Sequence, residues 1–128
     1  MAVDMNMRIL IVDDFQTMLK ILENFLRQFG FKNIDTATDG QKALEKMKTN
    51  KYNLILSDWN MEPMSGLDLL KAVRADETTK DIPVILITAE SKVENIIVAK
   101  KAGVNNYIVK PLNANTLKEK LASVIGSF

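Results

Sequence analysis

Side chains suited to metal and phosphoryl chemistry follow four short apolar runs of the sequence. Asp13 and Asp14 come after Ile-Leu-Ile-Val, Asp58 after Leu-Ile-Leu-Ser, Thr88 after Val-Ile-Leu-Ile, and Lys110 after Tyr-Ile-Val. Each run has the length and the β-branched content of a buried parallel strand. If the four strands lie side by side, their ends share one rim. We therefore expect three carboxylates, a hydroxyl and an ammonium group to form one functional pocket.

The three carboxylates predict a cation site. An Asp-Asp pair alone is weak evidence, because Asp is common in turns and at helix N-caps. With Asp58 close by, three unpaired carboxylates would repel, and one of them would be forced to bind a proton. A hard divalent cation removes this repulsion, and ligands that are all oxygen favour Mg²⁺ or Mn²⁺.

Asp58 is the best nucleophile that this pocket offers. Carboxylates form acyl phosphates in phosphoryl-transfer proteins, with Mg²⁺ neutralising the transferred group. Lys110 suits either a phosphoryl group or a structural salt bridge to Asp13 or Asp58. The hydroxyl of Thr88 suits a phosphoryl oxygen, although an N-cap or a plain strand position is the alternative for this residue.

The composition excludes several other chemistries. The 128 residues include no histidine and no cysteine. A Ser-His-Asp or Cys-His nucleophile, a histidine or thiolate metal site and a disulfide are therefore excluded. The sequence also lacks a Gly-x-x-x-x-Gly-Lys phosphate-binding loop. A donor must therefore bring the phosphoryl group, which favours a phosphoryl acceptor over a kinase.

The elements that position the pocket alternate between strands and helices. Apolar residues at helical spacing follow each strand, and Gly30 is predicted to end the first helix. Most apolar helix positions, including Phe15 and Ile97, are interpreted as core. Five βα units predict a flavodoxin-like α/β fold, with a doubly wound parallel sheet in the order 2-1-3-4-5 and five helices. The switch point of that order lies between strands one and three, where the three aspartates stand.

Length and charge predict a protein of ordinary globular class. We expect one domain over residues 1–128, because this length suits a single core and no linker or repeat interrupts it. The net charge of +1 gives no reason to expect nucleic acid or membrane as a partner. The sequence shows no secretory signal and no apolar stretch near the ~18 residues of a membrane span. A cytoplasmic monomer is the expectation.

Together these motifs resemble the signature of response-regulator receiver domains in two-component signalling. Asp13-Asp14, Asp58, Thr88 and Lys110-Pro111 carry the resemblance, which covers nearly the whole chain. Longer stretches are similar to chemotaxis receivers in particular, among them Val-Asp-Asp-Phe, Ser-Asp-Trp-Asn-Met, Thr-Ala-Glu, Glu-Asn-Ile-Ile and Tyr-Ile-Val-Lys-Pro. The resemblance implies a single-domain response regulator whose Asp58 is phosphorylated by a histidine kinase.

The resemblance also implies separate roles within the pocket. The residues implied to surround Mg²⁺ are Asp13, Asp14, Asp58 and Asn60, the last through its backbone carbonyl. Lys110 would pair with the phosphoryl group, and the peptide bond between Lys110 and Pro111 would be cis. Asn60 and Glu90 flank the expected path of the attacking water, so we predict that they tune self-dephosphorylation.

A switch and a partner surface complete what the resemblance implies. Thr88 would move toward the phosphoryl group, and Tyr107 would turn from an outward to an inward rotamer. This change would bias a surface made by the fourth helix, the fifth strand and the fifth helix. Its predicted contact residues are Val93, Ile96, Tyr107, Leu112 and Lys120.

Some positions depart from the chemotaxis pattern. Pro63 falls one place later than usual because Glu62 intervenes, which predicts a different shape for the loop beside the acceptor. Val93 and Leu112 stand where a Lys and a Phe are common. The predicted partners are a chemotaxis-type histidine kinase and an output protein such as the flagellar motor switch. A phosphate sink or a relay in another two-component pathway is the alternative.

Two interpretations from other classes share the fold or the chemistry. A flavin carrier needs a first loop rich in Ser, Thr and Gly, whereas Asp13 and Asp14 would repel a flavin phosphate. A phosphohydrolase of the haloacid-dehalogenase type uses Asp-x-Asp, but the triplet here is Asp58-Trp59-Asn60, and an amide cannot shuttle the proton. We expect a regulator that is not an enzyme, apart from its own phosphorylation and dephosphorylation.

Overall fold

A computed structural model of the chain describes residues 3–89 and 92–128. Five strands and five helices alternate along these residues. The strands are β1 (Arg8–Val12), β2 (Asn33–Ala37), β3 (Leu54–Asp58), β4 (Val84–Thr88) and β5 (Asn106–Val109). The helices are α1 (Gln16–Phe29), α2 (Gly40–Thr49), α3 (Gly66–Ala75), α4 (Val93–Lys101) and α5 (Ala114–Ile125). The predicted alternation of strands and helices is confirmed.

All five strands pair in parallel, in the order β2-β1-β3-β4-β5. This confirms the predicted flavodoxin-like, doubly wound sheet. Strands β1, β3 and β4 are apolar along most of their length because helices cover both faces of the sheet. The strands end at one edge, which we call the carboxyl edge, and begin at the opposite amino edge.

Two apolar cores lie on the two faces of the sheet. Leu10, Ile55 and Leu86 belong to the core that is completed by residues of α2, α3 and α4. Ile9 and Leu56 belong to the core beneath α1 and α5. Because successive strand residues point to opposite faces, each central strand contributes to both cores and is fixed in position by both.

Two apolar residues that the sequence assigned to the core are exposed instead. Phe15 is 69% exposed, and Ile97 of α4 is 46% exposed. Within the described residues of α4, Ala99 is the buried position. The core interpretation of Phe15 and Ile97 was therefore wrong, because helical spacing does not reveal how little of a helix face its neighbours cover.

Capping residues set the ends of several helices. The N-cap residues of helices α2, α3 and α5 are Asp39, Ser65 and Asn113, whose side chains accept hydrogen bonds from backbone N–H groups of the first turn. Gly30 follows α1 with φ 108°, which is the helix end that the sequence predicted. No helix within the described residues has the length and apolar character needed to cross a membrane.

Candidate functional site

Backbone hydrogen bonds at the carboxyl edge extend beyond the strands and hold the candidate residues in place. The N–H of Asp13 donates to the carbonyl of Ala37 at 3.1 Å, which continues the pairing of β1 with β2. In the same way the N–H of Lys110 donates to Thr88 at 2.8 Å, between β5 and β4. The rigid sheet therefore positions the side chains at this edge.

The predicted group of three carboxylates is present at this edge. Oxygens of Asp13, Asp14 and Asp58 all lie within 4.8 Å of one another. Asp13 and Asp58 are buried, whereas Asp14 is exposed. Two carboxylates are therefore held out of solvent, and the third faces the solvent that would deliver an ion.

The surroundings of Asp13 disfavour its negative charge. Its Oδ1 accepts a hydrogen bond from the backbone N–H of Phe15 at 2.9 Å, while its buried Oδ2 accepts none from the described residues. Burial raises the pKa of Asp13 to about 6, with the charges of Asp58 and Asp14 adding to the rise. The hydrogen bond from Phe15 and the charge of Lys110 act in the opposite direction.

Lys110 supplies a positive charge beside the acceptor candidate. Its Nζ lies 2.8 Å from Oδ1 of Asp58, and its side chain is 26% exposed. This is the ion pair that the sequence offered as one possibility. Despite this contact, Asp58 Oδ1 accepts no hydrogen bond of regular geometry from the described residues. The peptide bond between Lys110 and Pro111 is cis, as predicted, and the one between Glu62 and Pro63 is cis as well.

The donor set fits a hard divalent cation. Three carboxylates face one lysine, so the pocket carries two more negative charges than positive ones when all four groups are ionised. The buried Oδ2 of Asp13 lacks a protein hydrogen-bond donor among the described residues. Mg²⁺ takes oxygen ligands and usually keeps several waters, which agrees with a site that is open at Asp14.

The two predicted switch residues lie on neighbouring strands. Thr88 is buried at the end of β4 and lies opposite Val109 in the register of β4 with β5. Tyr107 is half-buried on β5. The Lys120 ammonium lies 5.0 Å from the centre of the Tyr107 ring, a distance at which the cation attracts the ring face. The structure therefore brings two predicted surface residues, Tyr107 and Lys120, together.

A glycine that the sequence analysis did not single out shapes the loop after Asp58. The N–H of Gly66 donates to the carbonyl of Trp59 at 2.8 Å. A Cβ atom at Gly66 would collide with the backbone carbonyl of Asp58 and lie 2.9 Å from Cα of Trp59. Asn60, which directly follows Trp59, is exposed. The sequence signal for Gly66 was its place in a Pro/Gly loop, which does not reveal a contact of this kind.

The remaining predicted residues differ in their exposure. Val93 is 68% exposed, Ile96 is half-buried, and Leu112 is half-buried against the core beneath α1 and α5. The exposed positions Ile97 and Val98 extend the apolar surface of α4 and were not predicted as contact residues. Glu90, the second residue predicted to tune dephosphorylation, lies outside the described residues.

The family model described as "Response regulator receiver domain" matches residues 9–122. The chain belongs to the response regulator receiver family.

Two relatives of the chain are chemotaxis proteins. The chain is 56% identical over 119 residues to chemotaxis protein CheY-3 of Vibrio cholerae, covering 93% of this chain and 92% of the relative. It is 51% identical over 118 residues to chemotaxis protein CheY of Pseudomonas aeruginosa, covering 92% and 95% of the two chains.

Solved structures agree with this assignment. The crystallised chemotaxis protein CheY4 of Vibrio cholerae superimposes with a TM-score of 0.87 at 33% identity, covering 93% of this chain and 98% of that one. The receiver domain of a Pseudomonas aeruginosa sensor histidine kinase gives 0.84 at 28% identity, covering 95% and 99%. The latter structure has a magnesium ion coordinated in its active-site cleft.

Proposed function

We propose that this chain is a single-domain response regulator of chemotaxis, with residues 1–128 forming one receiver domain. In this proposal Asp58 accepts a phosphoryl group from a histidine kinase, and the phosphorylated form binds an output partner. The observation that carries the proposal is the environment of Asp58. This buried carboxylate lies beside a lysine ammonium at 2.8 Å and within 4.8 Å of two further carboxylates.

The reaction is a transfer of one phosphoryl group. A carboxylate oxygen of Asp58 attacks phosphorus, the P–N bond of the donor's phosphohistidine breaks, and the electron pair of that bond returns to the imidazole. The product is an aspartyl phosphate. The Nζ of Lys110, now paired with Asp58, becomes the partner of the phosphoryl oxygens and offsets part of their charge.

Metal binding is part of the proposal. Asp13, Asp14, Asp58 and the backbone carbonyl of Asn60 would hold Mg²⁺, and Mn²⁺ has the same preference for oxygen ligands. When bound, the cation neutralises charge on the transferred group. The carboxylates of Asp13 and Asp14 thereby contribute a charged, all-oxygen site beside the acceptor. The magnesium ion in the structurally similar receiver domain supports this assignment.

The signal is proposed to leave the pocket through β4 and β5. A phosphoryl group adds negative charge and acceptor oxygens beside Thr88, whose hydroxyl turns toward it while Tyr107 turns inward. The affected surface is formed by Val93, Ile96, Tyr107, Leu112 and Lys120. A partner that prefers the phosphorylated surface tenfold gains about 1.4 kcal/mol of coupling free energy.

The names of the relatives support chemotaxis as the pathway. We infer a chemotaxis-type histidine kinase as the donor and the flagellar motor switch as the output partner, with the protein acting as a cytoplasmic monomer. A phosphate sink remains the second candidate, because Val93 and Leu112 depart from the usual residues of the motor-binding surface. Asn60 and Glu90 are proposed to set the rate of self-dephosphorylation.

Tryptophan fluorescence tests the proposal. Trp59 is the only tryptophan in the sequence and directly follows Asp58. We expect its emission to change when Mg²⁺ is added, and again when acetyl phosphate is added. Asp58→Asn should keep the fold and lose the acetyl phosphate response. An equal response to acetyl phosphate in wild type and variant would show that the acceptor is not Asp58.

A further inference from the structure

Arg74 of α3 forms an unusually complete set of hydrogen bonds at the amino edge, opposite the pocket. Its Nη1 donates to the carbonyls of Ile82 at 2.6 Å and Lys80 at 3.0 Å. Its Nε and Nη2 both donate to the carbonyl of Gly103, at 3.1 Å and 2.9 Å. A further bond joins Nη2 to Oδ1 of Asn105 at 2.9 Å. All five guanidinium N–H donors are therefore used.

These acceptors are neutral and come from two loops. Lys80 and Ile82 precede β4, whereas Gly103 and Asn105 lie between α4 and β5. Within the described residues, Arg74 has no carboxylate at salt-bridge distance. The guanidinium thus joins α3 to both loops through hydrogen bonds with fixed directions.

Gly103 makes the attachment to α4 possible. It follows α4 with φ 96°, and its N–H donates to Lys100 at 3.0 Å while the N–H of Val104 donates to Ala99 at 3.1 Å. These two bonds form a Schellman motif that ends the helix. A Cβ atom at Gly103 would lie 3.0 Å from Nε of Arg74. Glycine therefore provides both the left-handed backbone and the space for the guanidinium.

The two ends of α4 are held very differently. At the C-terminal end, Ala99 is fully buried and Arg74 binds the carbonyl of Gly103. At the N-terminal end, Val93 is largely exposed, and the N-cap residue Lys92 makes no capping hydrogen bond with its side chain. One end of this helix is hydrogen-bonded to α3, whereas the other end lies nearer the carboxyl edge and begins with the exposed Val93.

We propose that Arg74 is a positioning residue that fixes the C-terminal end of α4 and makes Gly103 the pivot of this helix. A change at Thr88 then moves the first turns of α4, from Val93 to Ile97, while the end near Gly103 stays in place. The movement of the N-terminal end of α4 rests on the proposed function, because it needs a phosphoryl signal. The fixation at Gly103 does not need that signal.

Backbone NMR of the full chain tests this proposal with beryllofluoride and Mg²⁺ as the phosphoryl analogue. In wild type we expect the shift changes within α4 to be large at residues 93–97 and small at residues 100–104. In Arg74→Gln we expect changes of similar size along the whole helix. Relaxation dispersion at the amides of residues 100–104 should also appear in this variant without the analogue. Arg27→Gln, at an exposed arginine of α1, is the matched control and should resemble wild type.

Two outcomes would overturn the proposal or part of it, and a second variant covers a failure to fold. An Arg74→Gln protein that keeps the wild-type shift pattern and shows no new dispersion at residues 100–104 would refute it. If that variant does not fold, Arg74→Lys, which keeps the charge but loses the forked donors, is judged by the same two measurements. If wild type fails to respond to beryllofluoride, the proposed function and the pivot motion are wrong, and dispersion alone decides the fixation at Gly103.

Discussion

The carboxyl and amino edges of the sheet differ in how far their polar side chains are hydrogen-bonded within the chain. At the carboxyl edge, Asp13 Oδ2 and Asp58 Oδ1 are buried without a regular hydrogen bond from the described residues. At the amino edge, all five donors of Arg74 are bonded. Polar groups that are satisfied by their own chain stabilise the fold, whereas a buried oxygen without a hydrogen-bond donor, such as Asp13 Oδ2, can bind a ligand.

A second network at the amino edge supports this contrast. The Tyr52 hydroxyl donates to Asp35 at 2.6 Å, and Arg8 donates to Asp35 at 3.2 Å and to Asn50 at 3.1 Å. Burial and the bond to Asp35 raise the pKa of Tyr52, so its hydroxyl stays protonated and remains a donor. These charged groups are partnered within the chain, as expected of a structural role. The carboxyl edge is where binding chemistry is expected.

The largest effect should come from Gly66→Ala at the carboxyl edge. Its Cβ would collide with the backbone of Asp58 and Trp59, which cannot move without displacing β3. We expect a loss of about 3 kcal/mol in the free energy of unfolding, measured by urea denaturation, and a weaker Mg²⁺ response of Trp59. Gly40→Ala is the control, because its Cβ meets the flexible side chain of Met64. Equal losses in both variants would contradict this explanation.

The next effect, at the amino edge, should be a loss of stability in Arg74→Gln. The variant leaves several carbonyl acceptors without a donor, so we expect the free energy of unfolding to fall by about 2 kcal/mol. Arg27→Gln removes an exposed pair with Glu23 and should cost less than about 0.5 kcal/mol. The acetyl phosphate response of Trp59 should survive in both variants. Loss of this response in Arg74→Gln would mean that the amino edge affects the phosphorylation chemistry of the carboxyl edge.

At the carboxyl edge, removal of the Asp13 charge should raise the free energy of unfolding, whereas the two preceding substitutions lower it. Asp13 has a pKa of about 6 in the fold and 3.8 as its ordinary value. Above both values, the buried charge therefore destabilises the metal-free fold. We expect Asp13→Asn to raise the metal-free free energy of unfolding by about 1–2 kcal/mol near pH 7, a gain that disappears as the pH falls through 6 toward about 4.

Urea denaturation of wild type and Asp13→Asn, with and without Mg²⁺, measures this difference in the free energy of unfolding. Saturating Mg²⁺ should stabilise wild type and have little effect on Asp13→Asn, because the variant lacks one of the cation's carboxylates. A variant that is less stable than wild type without metal at neutral pH would show that Asp13 is a structural group. Asp13 would then be a stabilising group like those at the amino edge, and the contrast between the two edges would be wrong.

The smallest effect should come from Lys120→Met, between the two edges. The Lys120 ammonium lies 5.0 Å from the centre of the Tyr107 ring, and a contact of this type that solvent still reaches contributes about 0.5 kcal/mol. We expect a loss of that size in urea denaturation and a greater mobility of the Tyr107 ring in NMR. Lys118→Met, beside Phe128, should leave the Tyr107 signals unchanged. Identical Tyr107 spectra in wild type and Lys120→Met would contradict the contact.

The sequence predicted the strands and the members of the pocket because both follow from local patterns, and the order of the strands followed from the common arrangement of five βα units. Apolar β-branched runs indicate parallel strands, and Asp13, Asp58 and Lys110 each stand at the end of such a run. The exposure of Phe15 and Ile97 was missed because it depends on which neighbouring elements cover a helix. The bonds of Arg74 were missed because they join loops that are far apart in the sequence.

The most direct test of the central claim is the intact mass of the protein after incubation with acetyl phosphate. With Mg²⁺, wild type should gain the mass of one phosphoryl group, and removal of Mg²⁺ should greatly reduce that gain. Asp58→Asn should show no gain, whereas Asp39→Asn, which keeps an N-cap residue at the start of α2, should behave like wild type. A phosphoryl group that still appears on Asp58→Asn, or that never appears on wild type, would contradict the account.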